Sequence, residues 1–452
     1  MALPYVILPG RVGLVAGVTR EALAAADRLP DRVGIGLLTR VFPPGLVDEV
    51  IDETGSREQR HRMLPARLMV YFTLALWLFM RCGYGLVLEK LTTGLAWAGL
   101  PEQDWEVPRS GSITKARHRL GPLVLARLFH RTAGPLAAAD TSKVTSGVTR
   151  GAWWRGLRVC SLDASTLDVP DTAFNDSVFG RPTNGSAPGP FPQVRIMALA
   201  ENGTKALIDA AIEGYCVDER TLARQILPSL RPDMLVLADR GFPGYHLWAE
   251  ATATGAHQVW RVPASFGLPV LNTLREGTYL SHLTARPQKG TPTPPPIPVR
   301  VVEYTVTSTD TSDNTTTSEQ FRLITTLTDP ATAPARELAQ LYHQRWQIET
   351  ALGALKTEQR GSGIVLRSHQ PAGVLQELWA MFCVYHAIRD LAFHAAIHHT
   401  LDPTQISFKH AIETARDSAA RDFSPSPPQT IMELRPPHPD PPQKPRHIPT
   451  KP

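Results

Sequence analysis

Tyr342, Arg345, Glu349 and Lys356 follow one another at spacings of three, four and seven residues in the segment LYHQRWQIETALGALK, Leu341–Lys356. In an α-helix turning about 100° per residue they project at roughly 0°, −60°, −20° and −40°, inside one narrow sector. A phenol, a guanidinium, a carboxylate and an ammonium in one stripe suit a phosphate ester. Arginine grips it bidentately, lysine acts as a point charge, and tyrosine donates a hydrogen bond or stacks on a base. Leu341, Ile348, Leu352 and Leu355 run beside the stripe as an apolar band suited to packing on a sheet. The same residues also suit a solvated helix face with an Arg345–Glu349 pair at i, i+4. Two aspartates upstream decide between these readings.

Asp163 lies inside the β-rich segment LRVCSLDASTLDV, Leu157–Val169. A short carboxylate is disfavoured in a strand and resists burial, so it needs a reason to be there. Asp239 ends the apolar run Met234–Ala238, which reads as a strand buried on both faces. Before Arg240-Gly241 it also suits a local turn. If the two strands are neighbours in one sheet, Asp163 in a strand interior and Asp239 at a strand end lie near each other, and open α/β sheets bind ligands near strand ends. With Glu349 they make three carboxylates suited to Mg²⁺ (or Mn²⁺), and two such ions about 4 Å apart can clamp the attacking and leaving oxygens of a phosphoryl transfer. Asp168 and Asp171, flanking Pro170, read as turn formers.

The elements that must position these residues follow from patterning. Arg67–Arg81 and Gly85–Ala98 read as apolar helices. In Pro108–Phe129, Ser110 or Ser112 can cap a helix from Ile113 that carries Lys115, Arg117 and Arg119 before Gly121-Pro122 stops it. That short basic helix suits a helix-turn-helix reader of DNA and equally a solvated face of a small helical domain. Arg57–Arg62 adds further positive charge. After the strand of Asp163 come Gln193–Ala200, an Asn202-Gly203 turn, Lys205–Ile212, and a helix Glu219–Leu230 capped by Asp218. Residues 256–328 read as a β-rich insertion with a proline-rich excursion at Pro287–Pro298. A helix from after Pro334 to about Lys356 carries the polar stripe, and another covers Pro371–His394. From about Arg421 the proline-dominated tail reads as disordered.

The chain has 452 residues and a net charge of +5, with a pI near 9.1, a balance that points toward a polyanionic partner. Its four cysteines form no CxxC pair, which argues against a disulfide framework or zinc site and fits a reducing cytoplasm. The N-terminus lacks a secretory pattern. The run Leu68–Met80, at about 13 residues, is too short to span a bilayer.

The ordered set of motifs resembles the insertion-sequence-four family of DDE transposases. Its carriers are Tyr-x2-Arg-x3-Glu-x6-Lys at Tyr342, Arg345, Glu349 and Lys356, SLDAST around Asp163, FGRP at Phe179–Pro182, LADRGF around Asp239 and LRS at Leu366–Ser368. Together these cover residues 150–395, and SITKARHRLG more loosely resembles the family's N-terminal part. The resemblance implies an α/β architecture: an RNase H-like catalytic domain (150–395) with a β-rich insertion, after a helical DNA-binding domain (1–145) and before a disordered tail (421–452). It implies Asp163, Asp239 and Glu349 as catalytic acids and metal ligands, with two Mg²⁺ or Mn²⁺ ions. Tyr342, Arg345, Lys356, Lys115, Arg117 and Arg119 would contact double-stranded DNA, both terminal inverted repeats and target. Such enzymes nick the element end, form a hairpin by attack of the 3′-hydroxyl, reopen it and join the end to target DNA, working as dimers in the nucleoid. Relatives stack an extruded base on an aromatic of the insertion, for which Phe321 and Trp260 are candidates, each also suited to a strand core. The alternatives are a two-metal nuclease without strand transfer and a transposase-derived DNA-binding regulator.

Overall fold

The computed structural model describes residues 36–60, 62–97, 106–138, 151–184, 187–287, 289–290, 292–309, 316–361 and 363–421. The proline-rich tail and the boundary expected near residue 145 lie outside them.

Six helices come first: α1 (Gly36–Val41), α2 (Pro44–Glu53), α3 (Ala66–Leu78), α4 (Tyr84–Trp97), α5 (Ser110–Leu120) and α6 (Leu123–Thr132). Nearly every residue of α3 is buried, as its unbroken apolar sequence dictates. Helix α5 starts at Ser110, with Arg109 at the N-cap position and no side-chain cap, so neither serine caps it as the sequence suggests.

Strands β1 (Trp153–Trp154) and β2 (Leu157–Asp168) follow, then α7 (Ala173–Phe179), β3 (Thr183–Asn184), β4 (Ala187–Pro188), β5 (Gln193–Glu201), β6 (Leu207–Gly214), α8 (Glu219–Ile226), β7 (Met234–Ala238), α9 (Tyr245–Ala253) and β8 (His257–Arg261). Asp218 caps α8 as expected, accepting from the amides of Arg220 and Thr221. The Asn202-Gly203 turn joins β5 to β6, but Lys205 (φ 60°) takes its left-handed position. Gly203 is required instead by a close approach, since a Cβ there would lie 2.5 Å from the amide nitrogen of Ala152.

Next are β9 (Asn272–Thr273), β10 (Tyr279–Leu283), β11 (Ile297–Thr309), β12 (Thr316–Thr325), α10 (Ala335–His343), α11 (Trp346–Ala354), a π-helical turn Leu355–Gln359, α12 (Pro371–His399) and α13 (Phe408–Arg421). Among the described residues the main sheet runs β6-β5-β2-β7-β8-β12-β11-β10-β9, with β1 paired to β2. Strand β2 is antiparallel to β5 and parallel to β7, and β7 is parallel to β8. The residues expected as an insertion divide accordingly. Strand β8 completes the parallel part, while β9–β12 extend the same sheet through an antiparallel β12–β8 pair.

Side chains alternate across a strand. Cys160, Leu162, Val236 and Ala238 face α8 and α9, in a core that includes Leu222 and Trp248. Val159, Leu235 and Leu237 face the other way, packing with Leu338, Leu341 and Tyr342 of α10. A third core joins α1–α6 to α12, α13, one face of β5 and β6, and Ile348, Ala351 and Leu352 of α11. The front helices therefore share their core with the back of the chain.

Candidate active site

The parallel register pairs Leu162 with Ala238. Asp163 and Asp239 are the next residues on adjacent strands, about 5 Å apart at the backbone, the spacing of paired strands. Each is two or four residues from Val159, Leu235 or Leu237, so each carboxylate stands on the face covered by α10 and α11. The polypeptide thus delivers two acids to the place where the polar stripe arrives.

The stripe does not arrive on one straight helix. Helix α10 ends at His343, a turn at Gln344–Arg345 bends the chain, and α11 starts at Trp346. The π-helical turn then shifts Lys356 again; such turns recur at functional sites. The bend aims Arg345 at the acids. Its guanidinium lies 3.6 Å from the Asp163 carboxylate and donates to Glu349. The i, i+4 pair foreseen for a solvated face is present, but it is turned onto Asp163.

Asp163 accepts from the Ala164 amide at 2.9 Å. Burial pushes its carboxyl up to about 6, and Glu349 and Asp239 push the same way, against Arg345 and the Ala164 amide. Burial alone would lower the affinity of Arg345 for its proton, yet Tyr342, Asp239, Glu349 and Asp163 around it hold it above its ordinary value. Asp239 accepts from the Arg240 amide at 2.6 Å, so it serves its turn as well. Lys356 is held below the usual lysine range by burial and then by Arg360, opposed by Asp168 and Asp163. Arg345 can screen and bind phosphate, Lys356 can hold a second one, and the three acids supply hard oxygen donors.

As they stand, among the described residues no three His, Cys, Asp or Glu side chains are close enough to hold a metal ion. A cationic group is there instead, because Arg345 bridges Asp163 and Glu349. Oxygen donors gathered round a positive charge are the donor chemistry that Mg²⁺ and Mn²⁺ take, so the residue set fits a divalent ion that displaces the guanidinium.

Two expected DNA contacts are corrected. Tyr342 is 3% exposed; its hydroxyl donates to the Ala238 carbonyl at 3.3 Å and its ring packs against Phe321, so it steadies the strand end before Asp239 and cannot stack on a base. Arg117 is 4% exposed and pairs with Glu377 at 3.2 Å inside the protein, out of reach of phosphate. Lys115 and Arg119 stay exposed on α5, with Arg119 donating to the Leu64 carbonyl. Of the candidate base platforms, Trp260 is buried against Trp248, and Phe321 is covered by Arg261 at 4.0 Å. Sequence reasoning passed over Trp346, 64% exposed beside Arg345, and Arg360, one turn beyond Lys356. A large aromatic inside a polar stripe was the available signal for the first.

Residues 154–386 match the transposase DDE domain, and residues 32–130 match the insertion element 4 transposase N-terminal domain. The fold and site thus define a DDE transposase, an enzyme of DNA strand cleavage and transfer. The chain belongs to the insertion element 4 family of these enzymes. It is 27% identical over 371 residues to the transposase InsG for insertion sequence element IS4 of Escherichia coli K12, covering 81% of this chain and 79% of that one. A putative transposase InsZ of the same organism is 25% identical over 154 residues, 34% of this chain and 49% of that one. A piggyBac transposase synaptic complex with hairpin DNA aligns over 86% of this chain and 80% of that one, at a TM-score of 0.42 and 10% identity. Among the described residues no helix is long and apolar enough to cross a membrane.

Proposed function

We propose that this transposase cuts DNA at the ends of its own element and joins them to target DNA by cut-and-paste, through a hairpin, using divalent-metal-dependent phosphoryl transfer at Asp163, Asp239 and Glu349. The observation that carries the reading is the convergence of Asp163 and Glu349 on one guanidinium, with Asp239 in the neighbouring register position. The strand order β6-β5-β2-β7-β8, with β5 antiparallel to both β6 and β2 and with β2, β7 and β8 parallel to one another, supports an RNase H-like catalytic domain (150–395). The helices of residues 1–145 would grip DNA through Lys115 and Arg119.

The three acids would hold two Mg²⁺ or Mn²⁺ ions, which when bound supply an activated water and charge for the leaving oxygen. The protein's own work is positioning and neutralisation. Arg345, released from Asp163 and Glu349, turns to the phosphate under attack, and Lys356 holds the next phosphate. Tyr342 keeps the Ala238–Asp239 strand end in place through its carbonyl bond. Two element ends must be handled together, so the working form is a homodimer on double-stranded terminal repeats and target, acting in the cytoplasm on the nucleoid.

The test is a duplex bearing the element's terminal repeat, incubated with the full chain and Mg²⁺. Expected products are a 3′-hydroxyl nick, a hairpin and joined target, all lowered by at least about 10²-fold in Asp163→Asn, Asp239→Asn and Glu349→Gln. Hydrolysis without joining would replace this reading by a nuclease. DNA binding without cleavage under any divalent metal would replace it by a regulator.

A further inference from the structure

Beyond the catalytic acids, a groove of about 550 Å³ opens between the end of α3, the π-helical turn and α13. Its charged lining is Arg81, Arg360, Lys409 and Arg416 against Glu358 and Glu413. Among the described residues none of the four cations is within ion-pair distance of a carboxylate, although elsewhere arginines such as Arg67, Arg131 and Arg181 are paired. Both acids are exposed, whereas Arg360 and Arg416 are half-buried. Among the described residues the Arg360 side chain is anchored only by donating its Nε–H to the Lys356 carbonyl at 3.4 Å, and that of Arg416 by donating its Nε–H to the Leu78 carbonyl. Each bond uses one edge of the guanidinium and leaves its remaining N–H donors free.

A half-buried guanidinium with free donors carries a desolvation cost that an anion would offset. Burial lowers the proton affinity of both Arg360 and Arg416; Asp168 opposes it at Arg360, and at Arg416 Glu413 opposes it while Arg81 adds to it. Half-buried Arg360 and Arg416, lining one groove with Arg81 and without a carboxylate in ion-pair distance among the described residues, are arranged for an anion from outside. Lys356, which feels both Asp163 and Arg360, stands between the active site and the groove, one turn before Arg360 at the end of the π-helical turn. Arg345, Lys356 and Arg360 thus follow one another along the chain from the active site to the groove.

We propose that this groove is a second phosphodiester-binding site, which holds the DNA backbone as it leaves the active site. It rests on the reading of the chain as an enzyme acting on DNA and adds to it a place for the strand beyond the scissile phosphate. Serial phosphates on one strand meet serial guanidinium groups, and each phosphate neutralised releases counterions, so the contribution appears in the salt dependence of binding.

The experiment is a binding titration of the full chain with a duplex that extends at least ten base pairs past the cleavage point, repeated from 50 to 300 mM salt. Arg81→Gln, Arg416→Gln and the double variant are compared with wild type, and thermal melting checks that each is folded. The expected result is a plot of log affinity against log salt whose slope falls by about one for each arginine removed, and by about two in the double variant. On a duplex trimmed at the cleavage point, wild type and variants should coincide. Equal slopes for folded variants on the long duplex would overturn the proposal. So would stabilisation of wild type by inorganic phosphate without any change in the DNA slope, since that would mark a site for free anions. Arg81→Gln keeps the test sound if Arg416→Gln fails to fold, because Arg81 is exposed. Failure of the wild-type chain to cleave element ends would count against the proposed reaction and leave the slope comparison standing.

Discussion

Two of the arginine–carboxylate clusters of this molecule, Arg117 with Glu377 and Arg345 with Asp163 and Glu349, are finished differently. Arg117 and Glu377 meet between α5 and α12 with side chains 4% and 3% exposed. Glu377 also accepts from the Arg367 amide at 2.9 Å and from the Ser368 hydroxyl, and Arg117 also donates to Gln376 at 3.0 Å and to Tyr84. Both oxygens of Glu377 have protein partners. Arg345 meets Asp163 and Glu349 with the three side chains 15%, 21% and 32% exposed, and among the described residues Glu349 accepts from Arg345 alone. A carboxylate whose lone pairs are all committed is structural; one with lone pairs to spare is open to metal or phosphate.

The sharpest break of this contrast is Glu377→Ala, which strands a buried guanidinium. It should cost about 3–5 kcal/mol of stability in a denaturant melt. If the cost is under about 1 kcal/mol, the two clusters are not different in kind. Asp163→Asn should do the reverse. It should lower end cleavage by about 10²–10³-fold, the scale of removing one preorganised charge at a reacting centre, with the folded chain intact by circular dichroism. Mg²⁺ should raise the melting temperature of wild type and leave that of Asp163→Asn unmoved.

A smaller effect concerns pH. The folded Asp163 carboxyl lies at about 6 against about 4 unfolded, so between these values the folded chain holds a proton that the unfolded chain has released. Its stabilising contribution is present below that window and lost as pH rises through about 6. Metal-free Asp163→Asn should therefore be more stable than wild type at pH 7.5, by on the order of 1 kcal/mol, and indistinguishable from it at pH 4. An advantage that grows toward low pH would contradict the burial of Asp163. The smallest effect is on the surface of α5. Lys115→Ala and Arg119→Ala should each reduce the salt slope of DNA binding by about one, and Arg117→Met should not, since Arg117 has no access to DNA.

Asp163, Asp239 and the Arg345–Glu349 segment were legible because each breaks a local rule: an acid inside a strand, an acid closing a buried run, and charges sharing a sector with leucines. The inward turn of Arg117 was less visible, although Ile113, Ala116, Arg117 and Leu120 trace the buried stripe of α5. Lysine and arginine on a basic helix suggest solvent, and the partner that overrules this, Glu377, is distant in the chain. The bend at Gln344–Arg345 and the π-helical turn carry no proline or glycine punctuation of their own. They arise from docking α10 and α11 onto different parts of the sheet, a tertiary demand that periodicity does not encode. The same applies to β8, which reads as the start of an insertion until its parallel pairing with β7 is seen.

The shared core of the front helices and Pro371–His399 has a bearing on retargeting. A chimera that exchanged only the first third between two relatives would set Phe129 of one protein against Trp379 and Phe382 of the other. Mismatched aromatic packing of this kind is expected to fail at the seam before any new repeat could be read. Grafts that carry the long helix along with its front partners keep that seam within one parent.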